Sequence, residues 1–175
     1  MYAIQRDYPL TGHYLTARRI SRVQNMIWQC YIDCDQRELE GITGLGYMLE
    51  LIDFIDDRVL RCWRQECWSA DGEDYQHQHV PAATVCSLLR RYSLPAALLG
   101  ELRGDAQHAD ILITRHWIRH IIWNIGFQHG FMDEANPDVE MRPSYAIRIA
   151  QDTIDTCDAF SMGCLEVHGV GLVWT

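Results

Sequence analysis

His116 and His120 stand one helical turn apart in ITRHWIRHIIW, so they share a face, and two imidazoles at that spacing can grip one metal ion. The residues between them, Trp117, Ile118 and Arg119, lack the glutamate that a metalloprotease helix carries there, and the sequence marks no third ligand. Packing and hydrogen bonding are therefore the expected roles of this pair. His108 and His129 lie near the ends of the same helix and do not complete a ligand set with it. Cysteine raises the same question twice. Cys30 and Cys34 are one turn apart, and four residues separate Cys62 from Cys67 in the aromatic-rich LRCWRQECW. Neither matches the paired short spacings of structural zinc sites, so buried thiols are expected, and no cysteine is marked as a nucleophile. Metal, cofactor and catalytic residues are all expected to be absent.

Carboxylates offer a third chemistry. Asp53, Asp56 and Asp57 in DFIDD are of the type that holds magnesium on helices of prenyl-diphosphate enzymes, but they do not reproduce two adjacent aspartates followed by a third. Asp152, Asp155 and Asp158 in DTIDTCD make no better second motif, so solvated acidic faces are expected. GITGLGYM lacks the lysine of a phosphate loop, and neither a nucleophile elbow nor a dinucleotide fingerprint occurs. Among the aromatics, Trp117 and Trp123 flank His120, and these three residues form the candidate effector pocket.

These side chains must be positioned by helices. Apolar residues recur at three- and four-residue steps from Leu15 to about Glu38, and again from Leu45 to about Trp68 through Met48, Ile52, Ile55, Val59, Cys62 and Trp63. Gly41, Gly44 and Gly46 weaken the pattern between them. Asp57 and Arg61 are spaced to pair across one turn. SADGEDYQHQHVP, residues 69–81, is polar and aperiodic and is expected to be an exposed loop. A short helix is predicted from Ala82 to Tyr92, and another from Ser93, with Pro95 in its first turn. A long helix should run from Ala106 to Gln128, carrying Ile111, Ile118, Ile121, Ile122 and Ile125 inward and closing at Gly130. A further helix should run from Ser144 to about Phe160, burying Ala146, Ile149, Ala150, Ile154 and Cys157.

The expected fold class is therefore all-α: an irregular array of amphipathic helices in a single domain spanning 1–175, or a fragment of one. An apolar fraction of 48% suffices for a core. A formal charge of −9, with scattered arginines, disfavours phosphate contact by this segment. Seven cysteines on helical stripes fit reduced thiols in an intracellular compartment. MYAIQRDYPLTGHY has no apolar h-region, so no signal peptide is indicated, and no membrane span is, because Arg119, His120 and Asn124 interrupt the most apolar helix.

Three blocks then carry a resemblance: SLLRRYSLPAALLGEL, ITRHWIRHIIWNIGFQHGF, and RPSYAIRIAQDTIDTCDAFSMGCLEVHGVG, with LRCWRQECW a weaker fourth. Over residues 88–171 the chain resembles the fungal-specific transcription factor domain, the middle homology region of fungal zinc binuclear cluster regulators. The resemblance implies a helical, non-enzymatic, nuclear regulatory region of a usually dimeric factor, one that responds to protein partners or a small-molecule effector. The zinc cluster of that family, six closely spaced cysteines with a basic segment, does not occur here. DNA contact would then belong to another part of a longer protein, or have been lost, and the chain would be a regulatory domain or a fragment of one. The resemblance brings no catalytic residues. Two alternatives stand beside it: a helical prenyl-diphosphate enzyme using Asp53, Asp56 and Asp57, and an oligomerising helical module with an exposed apolar stripe.

Overall fold

The computed structural model describes residues 36–69, 79–93 and 105–166. Of these, 78% are helical and none is in a strand, so the all-α class holds. Packing divides the chain into two compact units, residues 1–53 and 54–175. In the first, helix α1 spans Gln36–Asp53 and runs unbroken through Gly41, Gly44 and Gly46, where a weak point is expected. Each glycine costs a helix about 1 kcal/mol relative to alanine. Ile42, Met48, Leu49 and Ile52 of this helix are half-buried. The helix expected from Leu15 lies almost wholly outside the described residues, as do Cys30 and Cys34.

The second unit begins with a break. The helix expected from Leu45 to Trp68 is interrupted after Asp53, and helix α2, Asp57–Trp63, starts afresh because the Asp56 carboxylate accepts the Val59 amide at 2.9 Å as its cap. Arg58 pairs with that same carboxylate at 2.9 Å, so Asp56 rather than Asp57 engages an arginine. Gln65 then adopts φ 62°, a left-handed conformation unusual for a residue with a Cβ, and its amide reaches the Cys62 carbonyl at 3.1 Å. The chain thereby folds back into a 3₁₀ turn, Glu66–Ser69. Most of the predicted exposed loop lies outside the described residues; near its end His79 is half-buried and Val80 is buried, while Pro81 is exposed.

Helix α3, Ala82–Ser93, matches its expected span and buries Val85, Cys86, Leu88, Leu89 and Tyr92. Of the helix expected to begin at Ser93, Ser93 itself is the last residue of α3, and Pro95 and the rest of its first turn fall outside the described residues. Helix α4, Asp105–Gln128, is the spine of the unit and packs against α2 and α3. It also packs against α5, Tyr145–Ala159, and α6, Met162–Glu166. Its inward stripe, Ile111, Thr114, Ile118, Ile122 and Ile125, is buried. At Gly126 helices α3 and α4 come close: a Cβ there would lie 2.5 Å from the Met132 side chain and 3.0 Å from Val85. The helix closes as expected at Gly130, φ +69°, with the Phe131 amide on the Gly126 carbonyl and the Gly130 amide on that of Phe127. The connection from Phe131 to Ser144 is ordered by its own polar groups. Asp138 bonds Arg90 and the Cys86 thiol of α3, and Glu134 accepts the amide and hydroxyl of Ser144.

Helix α5 corrects one expectation. Ile154 is 53% exposed and Ala150 is exposed, whereas the face turned inward carries Tyr145 and Ile149, with Asp152 and Thr156 half-buried. The helix is rotated from its apolar stripe toward its polar one because α4 presents an arginine to it.

Candidate functional site

That arginine is Arg119, 2% exposed in the middle of α4. Its guanidinium donates to the Tyr145 hydroxyl from Nε at 3.0 Å and from Nη2 at 2.7 Å, and to the Asp152 carboxylate from Nη1 at 2.5 Å. The Ser93 hydroxyl donates to the Leu89 carbonyl, so its oxygen is left to accept the Tyr145 proton. One polar chain therefore runs through α3, α4 and α5, with the arginine charge neutralised by Asp152. Arg115, a turn earlier, donates to the Tyr92 carbonyl at the end of α3 at 2.7 Å.

His116 and His120 are not brought together around a common partner. His116 Nε2 meets the Thr156 hydroxyl at 2.9 Å, and that hydroxyl donates to the Asp152 carbonyl, so the imidazole is the donor and its buried Nδ1 is bare. Burial, and then the positive charge of Arg119, pull His116 down to about 4, keeping it neutral. His120 is exposed and stacks on Trp123. Trp123 in turn stacks on Phe127 and donates to the Arg142 carbonyl. Trp117 turns to a different neighbour and meets Trp63 of α2 edge-on, with ring centres 5.8 Å apart. The three residues of the candidate effector pocket thus serve two separate contacts.

The four-residue spacing of Cys62 and Cys67 acquires a meaning that sequence did not supply. Both thiols are fully buried, and with His79 and His129 they form a cluster whose four donor atoms all lie within 4.8 Å of one another. Cys67 Sγ is 3.6 Å from His129 Nε2, and the Val80 amide donates to Cys62 Sγ at 3.4 Å. The His79 and His129 rings meet edge-on, 5.0 Å between centres. Burial, together with the adjoining Cys62 thiol, pushes the Cys67 thiol up to about 12, which favours its neutral form. Burial and then His79 lower His129.

Three of these four donor residues are placed by local devices. Cys62 sits in the last turn of α2, and the left-handed Gln65 swings Cys67 back toward it. His129 immediately follows α4, and the Gly130 closure fixes where it points. The readable signals were LRCWRQECW and the histidine-bearing QHQHVP, but only folding joins them to a histidine 62 residues beyond Cys67.

The carboxylates have structural uses. Asp56 caps α2, Asp152 neutralises Arg119, and Asp155 is exposed and accepts from Gln151. Among the described residues cysteines 62, 67, 86, 157 and 164 form no disulfide, and no helix is long and apolar enough to cross a membrane. Compared with known families, curated proteins and solved structures, the chain matches none.

Proposed function

We propose that this chain is a non-enzymatic regulatory region of a fungal transcription factor, acting through helix packing and protein contacts, with DNA binding supplied by another part of the protein. One observation carries the reading. The three blocks that resemble the middle homology region contribute Ser93, then Arg119, then Tyr145 and Asp152, and these residues form a single polar chain. A resemblance scattered through sequence thus coincides with one cooperative unit. Contacts with a partner would use the outer face of α5, where Ile147 is 74% and Ile154 53% exposed, two turns apart.

The chain fused to a heterologous DNA-binding module should alter a fungal reporter several-fold. Ile147→Glu with Ile154→Glu should remove most of that effect while the fold is retained by circular dichroism. A fusion indistinguishable from the DNA-binding module alone overturns the proposal.

A further inference from the structure

We propose that Cys62, Cys67, His79 and His129 form a structural zinc centre that clips α2 and its following turn, and the entry to α3, onto the end of α4. The inference stands on geometry alone and does not depend on the regulatory reading. Two thiolates and two imidazoles are the donor set of closed, four-coordinate zinc sites, with bonds of about 2.0–2.3 Å. A tetrahedron of that size separates its donors by roughly 3.3–3.8 Å. The observed donors, within 4.8 Å of one another, need only a small inward rotation to reach it. The Cys67–His129 edge, at 3.6 Å, already has the tetrahedral length.

The surroundings suit a buried ion. Both cysteines are fully enclosed and no described carboxylate belongs to the cluster, so the donors are soft and select zinc over magnesium or calcium. The Val80 amide on Cys62 Sγ is the outer hydrogen bond that a metal thiolate receives, holding its charge and direction. With all four positions taken by protein, no site is left for water or substrate, which makes the centre structural. Its four ligands come from four separate places: α2, the 3₁₀ turn, the segment before α3 and the end of α4. A seven-residue α2 is too short to persist alone, and the ion would supply the missing constraint. Binding is a simple exchange. Each thiol releases its proton to solvent, each neutral imidazole gives a lone pair, and the dication is neutralised by two thiolates.

The test uses the full chain, purified under reducing conditions. Elemental analysis should find a single zinc per chain. After removal and replacement by cobalt(II), the protein should show the intense visible bands of tetrahedral coordination together with sulfur-to-cobalt charge transfer. Cys67→Ser and His129→Gln should each weaken binding at least tenfold, whereas Cys86→Ser, a buried thiol held by Asp138 outside the cluster, should bind as the parent does. If the ligand variants fail to fold, the parent still decides: chelation should lower its melting temperature, and zinc, but not magnesium, should restore it. Substoichiometric metal, an octahedral cobalt spectrum, a melting temperature indifferent to chelator, or a Cys62–Cys67 disulfide in place of metal would each overturn the proposal.

Discussion

Arg119 and Asp152 meet across the α4–α5 contact with the arginine side chain 2% exposed and the aspartate 37% exposed, an ion pair buried at one end and wet at the other. The buried end carries the risk, because a guanidinium left unpaired in the interior has no water to replace its partner. Asp152→Ala should therefore destabilise the protein by about 2–4 kcal/mol. Arg119→Met, which removes the charge and fills its space, should cost less on the Asp152→Ala background than alone. Urea unfolding of the four variants in the cycle measures the coupling, and additive losses would show that the pair contributes nothing of its own.

Tyr145 links that pair to α3. Its hydroxyl accepts two bonds from Arg119 and donates to Ser93, so Tyr145→Phe leaves two buried guanidinium donors without their acceptor. The expected loss is about 2–3 kcal/mol. Ser93→Ala removes the far acceptor and the hydroxyl's own bond to the Leu89 carbonyl, both neutral, and should lose about 1 kcal/mol. The same urea transitions read both, and an equal or reversed order would contradict the inferred direction of the chain.

Acid should weaken this unit through His116. Its folded value, about 4, lies below the ordinary histidine value of 6.5, so between these values the unfolded chain binds the extra proton. Stability from this group is full above about pH 6.5 and falls as the pH drops toward 4, by an amount on the order of 2 kcal/mol after allowing for partial exposure. Arg115 and Arg119 face it as cations and Asp152 as the opposing anion, and the first two prevail. His116→Gln should flatten the pH dependence of the urea midpoint across that window. An unchanged slope would mean that His116 takes up its proton equally in the folded and unfolded chain.

Gln65 occupies the left-handed region at φ 62°. Gln65→Gly relieves the Cβ clash of that conformation and should raise stability by about 1 kcal/mol, since glycine adopts it freely. Thermal unfolding checks it; a decrease would mean that the glutamine side chain, not the backbone, holds the turn between the two cysteines.

Much of the unit was legible one residue at a time. The spans of α3, α4 and α5, and the closure at Gly130, follow from local spacing and local turn chemistry, which sequence encodes directly. Helix α1 was harder because its glycines lower propensity without ending the helix. The Asp56 cap divides what periodicity read as a single helix, since a side-chain acceptor one residue before a helix outweighs an apolar pattern that continues past it. The face of α5 was misread for a different reason. Periodicity weighs apolar residues, and the helix instead turned Tyr145, Asp152 and Thr156 inward to satisfy the polar groups of α4.

By itself the sequence determined the helical class and the thiol and imidazole chemistry available, because composition and short-range spacing are properties of the chain. Only the tertiary structure decided that Arg119 is buried and answered by Asp152, and that Cys62 and Cys67 meet His79 and His129. Those relationships join groups tens of residues apart, and no local preference specifies them; they exist because α4, packed along its length, brings its neighbours to the same few ångströms.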